Sequence, residues 1–297
     1  MNILVSGSTG LVGAELVPAL AGQGHVVTRL IRSGDAPGKT IRWDPEGGQL
    51  DTAALEGFDA VIHLAGESIA SGRWNTAKKA RIRESRVQGT RLLAERLAAT
   101  SRTPRVLICA SAIGYYGSRG DEIMTEASST GSGFLAEVCR DWEAAPAPAS
   151  AKGIRVVNCR FGVILSARGG ALAKMLLPFR LGTGGKIGSG GQYMSWIAVD
   201  DAVGAIEHGL ARDKVQGPIN CVAPNPVTNL QFTKTLGRVL SRPTIIPMPA
   251  FAARLVFGEM ADELLLSSTR VQPSKLLETG YNFRWPELEG ALRHLLG

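Results

Sequence analysis

The sequence predicts an α/β fold, a parallel sheet covered by helices on both faces, on three observations. Short apolar runs alternate with helical patterns over roughly the first half of the chain, as buried parallel strands and their crossover helices require. The first of those runs ends directly in a glycine cluster that opens a helix. At 297 residues the chain is long enough to bury roughly three quarters of its unfolded surface.

Met1–Ser6 reads as the first strand, because Ile3, Leu4 and Val5 run apolar into glycine. Leu11–Ala21 has helical apolar spacing, and His25–Ile31, β-branched at its centre, reads as the second strand. Asp59–Leu64, Arg105–Ala110 and Ile154–Cys159 follow as strands, separated by helical patterns over Asn75–Thr100 and Gly133–Ala145. The second half is less regular. Gly182–Gly191 holds six glycines, too many for a helix or strand interior. It lies between a helical run, Ala173–Leu181, and a strand, Met194–Val199, so it reads as a loop that approaches a ligand or another backbone. Asp200 and Asp201 then supply N-terminal carboxylates to a helix over Asp201–Leu210. Beyond Ala223, prolines punctuate short helices at Asn229–Leu240, Ala250–Phe257 and Pro286–Leu296. The expected organisation is a sheet domain over 1–165, to which the chain returns at 195–222, and a smaller substrate or cap domain from 166–194 and 223–297.

Composition narrows the function classes. With 44% hydrophobic and 20% charged residues, the chain is not disordered, a coiled coil or a disulfide-stapled miniprotein. Its four cysteines form no CxxC pair and its four histidines are scattered, which argues against a metal site. No leader pattern and no apolar run of ~18 residues is found, so a cytoplasmic chain with no membrane partner is expected. The net charge of +7 is partly local, with eight cations against Glu84 and Glu95 between Arg73 and Arg96. Without an aromatic-plus-basic recognition module, that stretch reads as a solvated helix face and no nucleic-acid partner is expected.

The strongest motif is Gly7-Ser8-Thr9-Gly10-Leu11-Val12-Gly13, placed between strand one and helix one. Gly7 permits a sharp turn, Gly10 lets the backbone approach a pyrophosphate, and Gly13 permits close helix–strand packing. The helix start adds free N–H groups and a partial positive charge. The motif therefore predicts a dinucleotide cofactor on a Rossmann-type doubly wound sheet. About 20 residues on, NAD-binding chains place an acid that bonds the ribose 2′-hydroxyl. Arg32 stands there instead, followed by Ser33, and a guanidinium suits a 2′-phosphate and stacks on adenine. That favours NADP(H); the alternative leaves Arg32 on the surface and gives the ribose to Asp35. Arg86 shares the apolar stripe of Ile82, Gly89, Leu93 and Leu97, so its charge needs an anionic partner, a carbonyl, or a route to solvent.

These features make the chain resemble an extended short-chain dehydrogenase/reductase. More closely, it resembles the atypical sugar-nucleotide-epimerase-like family that ends in a C-terminal domain of unknown role. The matching stretches include GSTGLVG (7–13), HLAGESI (63–69), SRVQGTRLL (85–93), SAIGYYGSRGDE (111–122), RFGVIL (160–165) and MSWIAVDD (194–201). The resemblance implies that Leu64, Ala65, Gly66 and Glu67 line the cofactor, that Arg86 reaches it and that Val163 closes over its nicotinamide end. It also implies a homodimer, since such relatives often pair through helices flanking the sheet.

The match departs from the wider superfamily at the chemistry. That superfamily works with a Tyr-x-x-x-Lys pair, in which the lysine cation favours the phenolate. Tyrosines stand only at 115, 116, 193 and 281, and the fourth residues beyond them are Arg119, Gly120, Ile197 and Trp285. Near the expected position the chain reads Gly133-Phe-Leu-Ala-Glu-Val-Cys139. A tyrosine without such a cation stays mostly protonated at neutral pH. Ser111 and Tyr115 remain as catalytic candidates, each with packing as its alternative. Tyr116, Arg180, Ser195 and Trp196 are candidates for gripping a small polar substrate, with Lys186 and Ser189 nearby and loop solvation as the alternative for the cations. The expected function is an NADP(H)-binding epimerase-like or oxidoreductase protein, or a catalytically silent NADP(H) sensor.

Overall fold

The computed structural model describes residues 1–297. In chain order the first half comprises β1 (Asn2–Ser6), α1 (Gly13–Gly22), β2 (Val26–Ile31), β3 (Lys39–Arg42), β4 (Ala60–His63), α2 (Thr76–Ala98) and β5 (Val106–Ala112). It continues with β6 (Ile123–Met124), α3 (Phe134–Ala144), α4 (Ala147–Ala151), β7 (Arg155–Phe161), β8 (Val163–Ser166) and α5 (Gly170–Arg180). Next come β9 (Tyr193–Met194), β10 (Trp196–Ala198), α6 (Val199–Ala211), β11 (Gly217–Cys221), β12 (Val227–Thr228) and α7 (Asn229–Val239). The chain closes with α8 (Ala250–Phe257), β13 (Arg270–Val271), α9 (Ser274–Glu278) and α10 (Leu288–Leu296).

Seven strands form one sheet in the order β11-β7-β5-β4-β1-β2-β3, with every neighbouring pair parallel. The order reverses direction at β1, which creates the crevice where ligands of such sheets bind. Both faces are dry. Ile3, Val5, Ile62, Ile108 and Val157 pack against Leu16 of α1 and Ile206 of α6. Leu4, Val61 and Leu107 pack against Leu93 and Leu97 of α2 on the other face. Each such side chain, once fully buried, contributes about 1.5–3 kcal/mol.

The five strands expected from the first half all form, but β3 was not foreseen in the sequence. Its residues, Lys-Thr-Ile-Arg, are mostly exposed at the sheet edge, so they carry no buried apolar run. A separate core joins β8 and β10 to α5, α7 and α10 through Leu172, Leu176, Phe179, Trp196, Phe232, Leu236 and Leu292. This is the cap. One stretch assigned to the cap packs elsewhere: Leu276 of α9 is buried in the first sheet core, where Tyr281 and Phe283 join it. Asp201 holds that stretch in place. Its fully buried carboxylate accepts the Tyr281 hydroxyl (2.9 Å) and the backbone N–H groups of Arg284 (2.8 Å) and Trp285 (2.9 Å).

Candidate active site

Parallel strands bring the carboxyl ends of β1, β4 and β5 to one rim, with the start of α1 beside them. Gly7 there has φ +66°, and a Cβ on it would lie 2.7 Å from the carbonyl carbon of Leu64. A Cβ on Gly13 would lie 2.2 Å from the Gly7 oxygen. Both glycines are thus required by backbone-on-backbone packing, while Gly10 is exposed and its N–H closes the turn onto Gly7 O (3.0 Å). Ser8 is buried, Thr9 is exposed, and Leu11 packs against the Gly169–Gly170 turn before α5. No side chain caps α1 at Val12; Ala14 donates to Gly10 O and Glu15 and Leu16 to Val12 O, which leaves the N–H groups of Leu11, Val12 and Gly13 at the helix start without an acceptor in the protein.

The loop is braced from the neighbouring strand. Arg29 of β2 donates to Ser8 O (3.2 Å) and to Pro37 O (3.0 Å), tying the glycine turn to the segment after β2. Arg32 and Ser33 at the end of β2 are exposed, and Arg32 makes no ion pair within the protein. Asp35, the alternative ribose ligand, is fully exposed and turned toward Arg42 (3.7 Å).

At the end of β4 the register places His63 beside Ser6, with Nδ1 2.6 Å from Ser6 Oγ. Burial pushes the His63 pKa down to about 4, so the ring is neutral at physiological pH. Leu64 and Ala65 follow, half-buried against Gly7, and Gly66 lies against the Arg86 guanidinium. Arg86 donates from Nη1 to the carbonyls of Glu67 (2.9 Å) and Ile82 (3.0 Å). Its partners are therefore one carbonyl of the loop after β4 and one of its own helix, and its pKa is lowered by burial. The Glu67 carboxylate pairs with the buried Lys78 ammonium (2.5 Å), whose hydrogen bond holds it below the usual carboxylate range. Val163 begins β8 half-buried, beside Trp196 of β10.

The end of β5 carries a chain of hydrogen bonds that the sequence reading missed. Ser111 Oγ donates to Glu143 Oε1 (2.6 Å), and Glu143 of α3 receives Arg160 of β7 through both oxygens (Nε 2.8 Å, Nη2 2.7 Å). Arg160 Nη1 donates to the Tyr116 hydroxyl (2.8 Å), which donates to Asn220 Oδ1 (2.7 Å). Burial alone would lower the Arg160 pKa, but the hydrogen bonds and charge of Glu143 outweigh it and hold it above its ordinary value. Burial likewise pushes Tyr116 up to about 12. Tyr115 is half-buried, with its ring face 3.6 Å from the Arg160 guanidinium carbon. Its hydroxyl makes no hydrogen bond within the protein.

Three of the four expected substrate contacts are corrected by this geometry. Tyr116 is fully buried and its hydroxyl is committed to Arg160 and Asn220. Ser195 is fully buried, donating to Thr269 O (2.9 Å) and accepting the Val271 N–H (2.8 Å). Trp196 lies in the cap core, with its indole N–H on Asn225 O (3.1 Å). All three are stitches between segments. Arg180 is exposed at the end of α5. In the basic stretch, Arg73, Lys78, Lys79, Arg83 and Arg86 all engage protein oxygens, which leaves Arg81 and Arg91 exposed and Arg96 half-buried without a side-chain partner. No group of three or more His, Cys, Asp or Glu residues is placed to hold a metal, and no helix is long and apolar enough to cross a membrane.

Comparison with known proteins agrees with this geometry. Residues 3–221 match the NAD dependent epimerase/dehydratase family, and residues 248–295 match a domain of unknown function. An epimerase family protein of Mycobacterium tuberculosis is 43% identical over 290 residues, covering 98% of this chain and 96% of that protein. The human epimerase family protein SDR39U1 is 38% identical over 299 residues, covering both chains completely. A crystal structure of the human protein with NADPH superposes with a TM-score of 0.91 at 36% identity, covering 99% of each chain. The UDP-glucose 4-epimerase of Thermotoga maritima shares the fold at 19% identity and a TM-score of 0.80, covering 100% of this chain and 97% of its own. From a turn that glycine alone can make to a relative matched end to end, the observations agree that this chain belongs to the NAD-dependent epimerase/dehydratase family.

Proposed function

We propose that the protein binds NADP(H) along this rim and uses it on a small polar, sugar-nucleotide-like substrate. The carrying observation is the pairing of an uncapped helix start, pressed against Gly7 and Gly13, with an exposed Arg32 that has no carboxylate partner. The residues present fit the cofactor. Backbone N–H groups of the 7–13 turn would hold the pyrophosphate, and Arg32 with Ser33 would hold the 2′-phosphate. Leu64, Ala65, Gly66 and Val163 would line its path. Solved human SDR39U1 with NADPH supports this reading. When bound, the nicotinamide supplies or accepts a hydride, and the protein contributes orientation and a proton.

Tyr115 is the residue for that proton, because its hydroxyl alone of the two candidates is not already committed. Ser111 is oriented by Glu143, which already accepts the hydrogen bond of its hydroxyl. A second reading, a silent NADP(H) sensor, is favoured by the commitment of Ser111 to that network. Screening carbonyl compounds and nucleotide sugars for NADPH oxidation separates the two. Turnover that falls about 10²–10⁴-fold in Tyr115→Phe, the usual range for losing a general acid, supports the enzyme reading. NADPH binding with no turnover of any compound supports the sensor.

A further inference from the structure

We propose that Lys78 sets the preference of this rim for NADP(H) by occupying the Glu67 carboxylate, so that Arg32 stays free for the 2′-phosphate. The inference rests on the NADP(H) reading and extends it to a specificity-determining residue on α2. Three side chains of that helix hold Glu67, by its carboxylate and by its backbone. Lys78 Nζ donates to Oε1 (2.5 Å), Ser85 Oγ accepts the Glu67 N–H (3.0 Å) and Arg86 Nη1 donates to the Glu67 carbonyl (2.9 Å). Positions 78, 85 and 86 are two helical turns apart and share one face of α2. Lys78 also donates to Ser71 Oγ (2.7 Å), and only 5% of its side chain is exposed. An ammonium so buried has to be paired. A loop that needed only rigidity would have it from Ser85 and Arg86, which act on the backbone; the Lys78 pair acts on charge.

Strand order places that charge beside the ligand rim. β1 lies between β4 and β2, so a nucleotide on the 7–13 turn has the loop after β4, with Glu67, on one side and Arg32 at the end of β2 on the other. Leu64 and Ala65 of the same loop press on Gly7, which keeps loop and turn in contact. The Lys78 hydrogen bond lowers the Glu67 pKa most, and the charges of Arg81 and Arg32 act in the same direction. Arg32 is therefore within electrostatic reach of this carboxylate. Left unpaired, Glu67 would offset the Arg32 charge and repel a phosphate monoester that carries about −1.5 to −2. It could also accept the ribose 2′-hydroxyl, as the acid of NAD-binding chains does. Lys78 prevents both. The carboxylate is committed to the ammonium, and Arg32 is left exposed without an ion pair.

Fluorescence titration of the full chain with NADPH and NADH tests this through the ratio of the two affinities, because a loop that is merely loosened weakens both alike. Lys78→Met should lower the preference for NADPH about tenfold. The double variant Lys78→Met/Glu67→Gln removes the freed carboxylate and should restore the preference. Glu67→Gln alone keeps the size of the side chain and should raise it several-fold. Arg91→Gln removes an exposed cation roughly 20 Å further along α2 and should leave it unchanged. With a wild type that favours NADPH, an unchanged ratio in Lys78→Met overturns the proposal and leaves the cofactor reading standing. So does a double variant as unselective as Lys78→Met, which would make Lys78 only a support of the loop. Should Lys78→Met not fold, Glu67→Gln decides, and a preference that stays or falls overturns the proposal. A wild type that binds both nucleotides equally, or neither, overturns the cofactor reading and the proposal together.

Discussion

Gly13 and His63 illustrate what single residues do at the rim. A methyl group on Gly13 would strike the Gly7 carbonyl, so Gly13→Ala must displace either the loop or the helix. We expect a loss of about 1–3 kcal/mol in stability, typical of overpacking, and loss of nucleotide binding, read by thermal melts and titration. His63 was not singled out in the sequence, because a lone histidine in an apolar run gives no sign of what it touches. Its buried ring has a pKa of about 4 against 6.5 unfolded, so below pH 6.5 the unfolded chain takes up the proton first. That part of the stability is complete above pH 6.5 and is lost as pH falls toward 4, by about 3 kcal/mol in all. Comparing melts of wild type and His63→Leu across that range isolates it, since carboxylate titration is common to both. An identical pH dependence in the two proteins would show that His63 is not the group responsible.

At the level of elements, side-chain networks fix how helices sit on the sheet. Glu143 is the only carboxylate on the buried Arg160, so Glu143→Gln leaves a guanidinium without its counter-charge and should cost about 3–5 kcal/mol in denaturant melts. Ser111→Ala removes one hydrogen bond to the same carboxylate and should cost only about 1.5–3 kcal/mol. Equal losses would mean that the network does not centre on the ion pair. Asp201 works in the same way for the C-terminal stretch. The sequence showed it as a helix-opening carboxylate, which it is, but not that Arg284 and Trp285 would donate to it from 83 and 84 positions away. Local patterns reveal helices and strands because periodicity is local. Partners far apart in sequence leave no such trace, which is why Glu143, Asn220 and the long-range bonds of Asp201 emerged only from the fold. Tyr116, Ser195 and Trp196 were misread for the same reason: polar and aromatic residues near a glycine loop look like ligand contacts until their distant partners are known.

The molecule as a whole is a parallel sheet whose rim is set by the order of its strands, with a second, smaller core beside it. The sheet was legible because β1, β4 and β5 carry continuous apolar runs, β7 carries Val156, Val157 and Cys159, and the glycine turn lies at the one switch in strand order. The edge strand β3 and the attachment of 274–283 to the sheet were not, since the first is polar and the second depends on Leu276 entering a core formed by residues far earlier in the chain. The basic stretch reads differently in three dimensions, with Arg73 and Lys79 held by the 255–259 segment and Arg83 by α3. Arg32 is different: it is a cation on the ligand rim with no carboxylate of its own. Fluorescence titration of the wild type and Arg32→Ala with NADPH and NADH therefore decides most directly. Wild type should prefer NADPH, and Arg32→Ala should weaken NADPH by about 10–100-fold, as for a lost charge-assisted bond, while leaving NADH nearly unchanged. Equal affinity of the wild type for both nucleotides, or no binding of either, would contradict the assignment of this rim.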